Sequence, residues 1–263
     1  MYRGQVGVRV RQLLFVAAIV SIEVGCIRNN VSDHRVGGKA AAEVFADPQL
    51  AKLATSACLG DVSGIERAIE TGMNPNATGL DGVTPLYWAQ NCGNLAGMEA
   101  LLKAGANPNA PVADRQFTPV DLAAGIPNPE ILALLLRYGG DPNAVYERSP
   151  WTALRVAFAL GMQEKGWENY YNLLNAGADI NRVHKNETIA EFAASLNQFD
   201  KVMELLERGY TVRVDNLEEL VYFADDESIG ADQVLWKRRV LSVLKDRGAT
   251  TRSKGTEPPP AAN

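Results

Sequence analysis

Six glycines, at positions 72, 105, 139, 177, 209 and 248, follow one another at spacings of 33, 34, 38, 32 and 39 residues. After four of them comes nearly the same string: MNPN, ANPN, GDPN and ADIN. A helix C-terminus often requires a left-handed residue, and glycine alone adopts that conformation without strain. A proline just beyond blocks continuation of the helix, and Asn favours the turn that follows. A period of this length marks a stack of repeated units, each of which buries its apolar face only against its neighbours.

The units also share an opening. It reads Thr84-Pro85-Leu86, then Thr118-Pro119-Val120, Thr152-Ala153-Leu154 and Thr188-Ile189-Ala190. Thr is a good N-cap, and Pro is tolerated at the first helical position. Small residues follow at a fixed offset (Ala89, Ala123-Ala124, Ala157, Ala193-Ala194) and let one helix approach the next. A leucine pair marks each second helix: Leu101-Leu102, Leu135-Leu136, Leu173-Leu174 and Leu205-Leu206. The pattern predicts six units, at residues 48–78, 79–111, 112–145, 146–182, 183–213 and 214–250.

With the TPL opening, paired alanines, mid-unit glycine and LLxxGA[DN]xN ending, the chain resembles an ankyrin-repeat protein over residues 48–249. The resemblance implies an all-α solenoid of helix-turn-helix units joined by finger loops, with a concave face for partners. The departures carry their own meaning. The first unit lacks Thr-Pro and reads as an N-terminal cap, with Lys52 among polar positions. The fourth has about four extra residues within 161–167, expected between its helices. The last has lost the signature, and its charges (Glu218, Glu219, Asp225, Asp226 and Glu227, then Lys237, Arg238 and Arg239) read as solvated faces of a terminal unit.

The domain plan is a signal peptide at 1–25, a tether at 26–44, repeats at 45–250 and a proline-containing disordered tail at 251–263. Residues 1–12 hold three arginines and no acid, and residues 13–22 (LLFVAAIVSI) are apolar. Ten residues fall short of the roughly twenty that span a bilayer as a helix. The pattern is that of a secretory signal, with a short anchor or a buried helix as the other readings. Val24-Gly25-Cys26 resembles the end of a bacterial lipoprotein signal and makes Cys26 the candidate lipidation site, although Glu23 stands where that pattern wants an aliphatic residue. The localisation expected is the periplasm, soluble or anchored at Cys26. Losing residues 1–25 removes three arginines and Glu23, taking the net charge from -5 to -7. An acidic surface argues against nucleic acid, and against a membrane except through a lipid anchor. Cys58 and Cys92 occupy nearly corresponding positions of adjacent units. Because stacked helices lie about 8–10 Å apart and a disulfide wants Cα atoms within about 7 Å, two free, half-buried thiols are expected.

The inventory argues against an enzyme. His34 and His184 are the two histidines, no Cys or His cluster has metal spacing, and there is no G-x-S-x-G. Gly37-Gly38-Lys39 lacks the strand and the Ser or Thr of a phosphate loop. No cofactor or metal is expected, and function falls to protein binding. The resemblance places partner contacts on the fingers at Leu80, Asp81 and Val83; Asp114, Arg115 and Phe117; Arg148, Ser149 and Trp151; His184, Lys185 and Glu187. It adds the first-helix positions Asn91, Ile126, Leu160 and Leu196. Phe117 and Trp151, beside arginines, have the composition of a binding hot spot, or else cover the ends of adjacent helices. Trp167 is a further candidate contact, its other reading being packing on Tyr170 and Tyr171. Trp88 and Phe192 read as core.

Exported ankyrin proteins of this size resemble immunity proteins that neutralise toxic effectors, including type VI secreted lipases. A scaffold that stabilises a periplasmic enzyme and a host-directed effector are the other two readings. All three require a protein partner.

Overall fold

The computed structural model describes residues 36, 38–112, 117–144, 151–164 and 166–248. The signal segment with Cys26, His34 and the tail beyond 250 lie outside the described residues, as do Asp114, Arg115, Arg148 and Ser149. Among the described residues are thirteen α-helices and no extended strand, only isolated bridges. They are α1 (Ala41–Val44), α2 (Pro48–Leu59), α3 (Val62–Glu70), α4 (Pro85–Asn91), α5 (Leu95–Lys103), α6 (Pro119–Ala124) and α7 (Pro129–Arg137). There follow α8 (Ala153–Glu164), α9 (Glu168–Asn175), α10 (Ile189–Ser195), α11 (Phe199–Glu207), α12 (Val214–Tyr222) and α13 (Ala231–Asp246).

The chain divides into two compact units, one running to Asp179 and the other beginning at Ile180. The first holds the pairs α2/α3, α4/α5, α6/α7 and α8/α9. Within it first helices pack on first helices and second helices on second helices. The second unit holds α10/α11 and α12/α13, packed in the same manner. This is the all-α arrangement of stacked helix pairs that the resemblance implies.

Each expected helix start is capped as the residue type dictates. The Thr84 hydroxyl accepts from the Tyr87 N–H (3.1 Å) and the Thr152 hydroxyl from Arg155 (3.2 Å). Thr118 and Thr188 form full capping boxes with Asp121 and Glu191. The first pair, without Thr-Pro, achieves the same end with Asp47-Pro48, whose carboxylate accepts from the Gln49 N–H at 2.8 Å. All six helix-ending glycines are left-handed, with φ between 84° and 98°. Trp88 and Phe192 are core residues, each 1 % exposed.

The Asn of each turn does more than favour the turn. The Asn76 Nδ2 donates to the Gly105 carbonyl (2.9 Å), and its Oδ1 accepts from the Asn107 N–H (2.7 Å). Asn109 makes the same two bonds to Gly139 and Asp141, and Asn143 to Gly177 and Asp179. In the second unit Asn181 repeats the pattern with Gly209 and Thr211. Each Asn thus satisfies an orphan carbonyl at the end of the next unit's second helix.

Two expectations fail. Cys58 and Cys92 form a disulfide, with Cα atoms 5.4 Å apart. The expected 8–10 Å separates helix axes, but a Cα stands about 2.3 Å off its axis, so facing Cα atoms lie nearly 5 Å closer. The second helix of the next pair, α5, also approaches α2 closely beside the bond. A methyl group added at Gly97 would fall 1.9 Å from the Ala57 carbonyl oxygen. The extra residues of the fourth unit do not lie between its helices. They lengthen its first helix, α8, to 12 residues, where α4, α6 and α10 have 7, 6 and 7.

The terminal pair corrects a third expectation. Lys237 is buried, not solvated, and its ammonium donates to the Ala224 carbonyl (2.6 Å) and to Asp226 (2.5 Å). That pairing holds the Asp226 carboxyl below its ordinary range.

Candidate functional site

The candidate contact residues sit where two elements meet: the finger, and the N-terminus of the first helix that follows it. In the first finger the Gly79 N–H donates to the Val83 carbonyl at 2.8 Å, and Asp81 (φ 55°) and Gly82 (φ 74°) turn the tip. Leu80 is thrown outward and is 53 % exposed, and Asp81 is exposed beside it. Val83 is half-buried, directly before the cap Thr84. In the second finger the Val112 N–H donates to the Phe117 carbonyl (2.9 Å), which holds Phe117 half-buried before Thr118. Trp151 has the equivalent place before Thr152. Because α4, α6 and α8 pack in sequence, Val83, Phe117 and Trp151 stand at the roots of neighbouring fingers.

Trp151 brings in a residue that sequence reasoning missed. The Arg155 guanidinium lies over its indole, 4.1 Å from the ring centroid. The pair is one helical turn apart, a spacing that places residue i+4 beside the N-terminal position. Such stacking contributes roughly 0.5–2 kcal/mol, according to how far water is excluded. It fixes a flat, cationic, half-buried surface at the finger root, the residue combination found at interface centres.

The fourth finger belongs to the unit that begins at Ile180. His184 and Glu187 bond reciprocally through their backbones, at 3.0 and 3.1 Å, around Lys185 (φ 47°) and Asn186 (φ 65°). Two consecutive left-handed residues make the tight turn usual in two-residue hairpins. Lys185 is exposed, while His184 and Glu187 are half-buried. Beneath the finger the buried Glu191 carboxylate accepts from the Thr188 N–H (2.8 Å), the Thr188 hydroxyl (3.0 Å) and the Arg213 guanidinium (2.8 Å). Arg213 also donates to the Asn186 side chain at 3.2 Å, tying the finger tip to the core. The Tyr210 hydroxyl meets Thr188 at 2.9 Å, and burial pushes its pKa up to about 12.

Several expected contact residues are otherwise engaged. Ile126 and Leu160 are 5 % and 4 % exposed, so neither offers a surface to a partner. Ile126 lies in the turn just after α6, while Leu160 lies inside the lengthened α8, on its buried side. Asn91 is half-buried, its side chain donating to the Tyr87 carbonyl at 2.8 Å, and Leu196 is half-buried after α10. Trp167 packs edge-on against Phe158 (5.1 Å between centroids) and Tyr170 (5.6 Å), with its ring against Gly161. Its packing role is what the structure displays.

Among the described residues no group of three or more His, Cys, Asp or Glu side chains is placed to hold a metal ion. None of their helices is long and apolar enough to cross a membrane. Among the described residues the one strongly shifted carboxyl is Asp121, raised to about 6 by burial against the opposing pull of the Thr118 hydrogen bonds. Its carboxylate completes the Thr118 capping box, accepting from the Thr118 N–H and hydroxyl at 2.9 and 2.8 Å.

The ankyrin-repeat family model matches residues 81–112. Among solved structures, the ankyrin-repeat domain of human ASB11 is similar over 75 % of this chain and 84 % of its own. The TM-score is 0.50 and the identity 23 %. That likeness is one of fold. No curated protein matches the chain.

Proposed function

With the ankyrin-repeat fold as the premise, which is generally a scaffold for protein binding and not for catalysis, we propose that the chain is exported and acts in the periplasm. There it binds and neutralises a toxic protein effector, such as a secreted lipase, through its finger face. It is soluble or held by a lipid on Cys26. The observation that carries this reading is the Cys58–Cys92 disulfide. Such bonds persist in oxidising compartments and are rare where thiols are kept reduced. The basic, apolar N-terminus supports the same compartment. Binding itself is assigned to the finger roots, where Phe117 and the stacked Trp151 and Arg155 supply anchors. An interface of about 1,600 Å², centred on a few such residues, suffices for tight inhibition.

The test is to recover the protein from its own cells with thiols blocked at lysis, fractionate the envelope, and identify what co-purifies. Release with the periplasm or membrane, an intact disulfide and recovery of a toxin encoded nearby are the expected results. A reduced protein in the cytosol, or one carrying only housekeeping enzymes, contradicts the proposal.

A further inference from the structure

A second surface lies on the second-helix row of the first unit, and the finger face does not account for it. Between α3 and α5 runs a groove of about 400 Å³, and between α5 and α7 another of about 410 Å³. Glu99, on the helix between them, lines both, so the two adjoin as a double trough with α5 along its middle. Its floor follows from the sequence. Helix α5 presents Ala96, Ala100 and Ala104 four residues apart, on one face, leaving a furrow where larger side chains would raise a ridge. Ile69 of α3 and Leu134 of α7 supply apolar walls.

The rim is acidic. Glu99 is already engaged, accepting from the Tyr138 hydroxyl (3.2 Å) and pairing with Lys103 (3.5 Å). Glu66 and Glu70 are different. They stand four residues apart on α3, a spacing at which like charges repel by about 0.2–0.5 kcal/mol. Among the described residues neither has an ion pair or a side-chain hydrogen bond, and neither does the side chain of Glu130 on α7. Of the two cations that line the trough, Lys103 is taken by Glu99 and Arg137 lies over the ring of its own neighbour Tyr138. Arg137 keeps its charge there, so the rim carries four carboxylates against two cations, a net charge of −2 around an apolar floor.

We propose that this trough docks a cationic amphipathic helix of a partner protein. The apolar stripe of that helix lies on the alanine row, and its Lys or Arg side chains reach Glu66, Glu70 and Glu130. The dimensions agree: the alanine row runs about 12 Å along α5 at 1.5 Å per residue, matched by roughly two turns of a partner helix laid along it. Charge excludes the competing occupants. An anionic bilayer or a nucleic acid meets carboxylates, and a second copy of this chain carries net negative charge itself. The surface is separate from the finger roots, and its occupancy does not depend on the function proposed for them.

The test uses the oxidised protein and a fluorescein-labelled 14-residue Leu/Lys helical peptide, with anisotropy read at physiological salt. The control peptide has Glu at every Lys position. Binding of the Lys peptide and not of the Glu peptide is expected. Ala100→Trp, which fills the furrow, should weaken it at least tenfold, as should the triple change Glu66→Lys, Glu70→Lys and Glu130→Lys. A charge-matched set elsewhere, Glu219→Lys, Asp232→Lys and Asp246→Lys, should leave the affinity within twofold, and circular dichroism verifies that each variant is folded. Equal loss in the charge-matched set, indifference to both trough variants, or binding of the Glu peptide overturns the proposal.

Discussion

The joints inside the first unit and those that close the second are built on different plans. Between interior repeats the same Asn makes the same two bonds at each step: Asn76, Asn109 and Asn143 to the glycine carbonyl and the backbone N–H of the next turn. At the far end each joint has its own residue. Gln233 accepts from the Phe199 and Asp200 N–H groups (2.8 and 3.3 Å) at the start of α11, whose own N-cap residue contributes no side-chain bond. Arg247 donates to the Leu206 and Tyr210 carbonyls, both at 2.8 Å, at the end of α11. Lys237 closes α12. An interior repeat has a neighbour on each side to share the load. Among the described residues the last pair packs against one neighbouring pair, and long polar side chains make its joints.

The contrast can be broken most forcefully at the covalent joint. Cys58→Ser with Cys92→Ser removes a cross-link between residues 34 apart in sequence, and should destabilise the first unit by about 3–4 kcal/mol. Amide exchange in α2 and α4, measured with and without reductant, reports it. Protection unchanged on reduction shows that the bond carries no load. Next comes Arg213→Ala, which strands the buried Glu191 carboxylate and frees Asn186. A loss of about 2–3 kcal/mol in urea denaturation is expected, with Arg213→Lys only partly restoring it.

Asp121 supplies a pH signature. Its folded pKa of about 6 stands above the ordinary 3.8, so the folded state binds the proton more tightly. Its contribution is complete below about pH 4 and is lost as pH rises through 6, a change on the order of 3 kcal/mol. Asp121→Asn should erase that part of the slope, making the variant gain on the parent between pH 4 and 7. Parallel curves contradict the assignment. The smallest effect belongs to the redundant joints: Asn109→Ala should cost about 1 kcal/mol, because its counterparts persist. A cost of 3 kcal/mol or more would mean that the ladder, not the apolar packing, holds the stack.

The same contrast explains what was legible beforehand. Thr-Pro starts, alanine contacts and left-handed glycines recur, so each copy vouches for the others. Gln233, Arg247 and Lys237 occur once, and nothing local distinguishes a buried Lys237 from the exposed Arg238 beside it. The disulfide was missed because axis spacing stood in for Cα spacing. At the finger face, Phe117 and Trp151 were readable from their place before the cap Thr. Arg155 is one turn inside a helix, where i+4 spacing from Trp151 was the available signal. Ile126 and Leu160 hold positions that the resemblance exposes, but here one falls in the buried turn after α6 and the other on the buried side of the lengthened α8.

The binding role of the finger roots is tested most directly by the affinity of the protein for its co-purified partner, measured by calorimetry before and after Phe117→Ala with Trp151→Ala. The expected result is a loss of at least ~2 kcal/mol, about thirtyfold in Kd, with the helical spectrum unchanged. An unchanged affinity in a folded double variant would contradict it and place the partner elsewhere on the molecule.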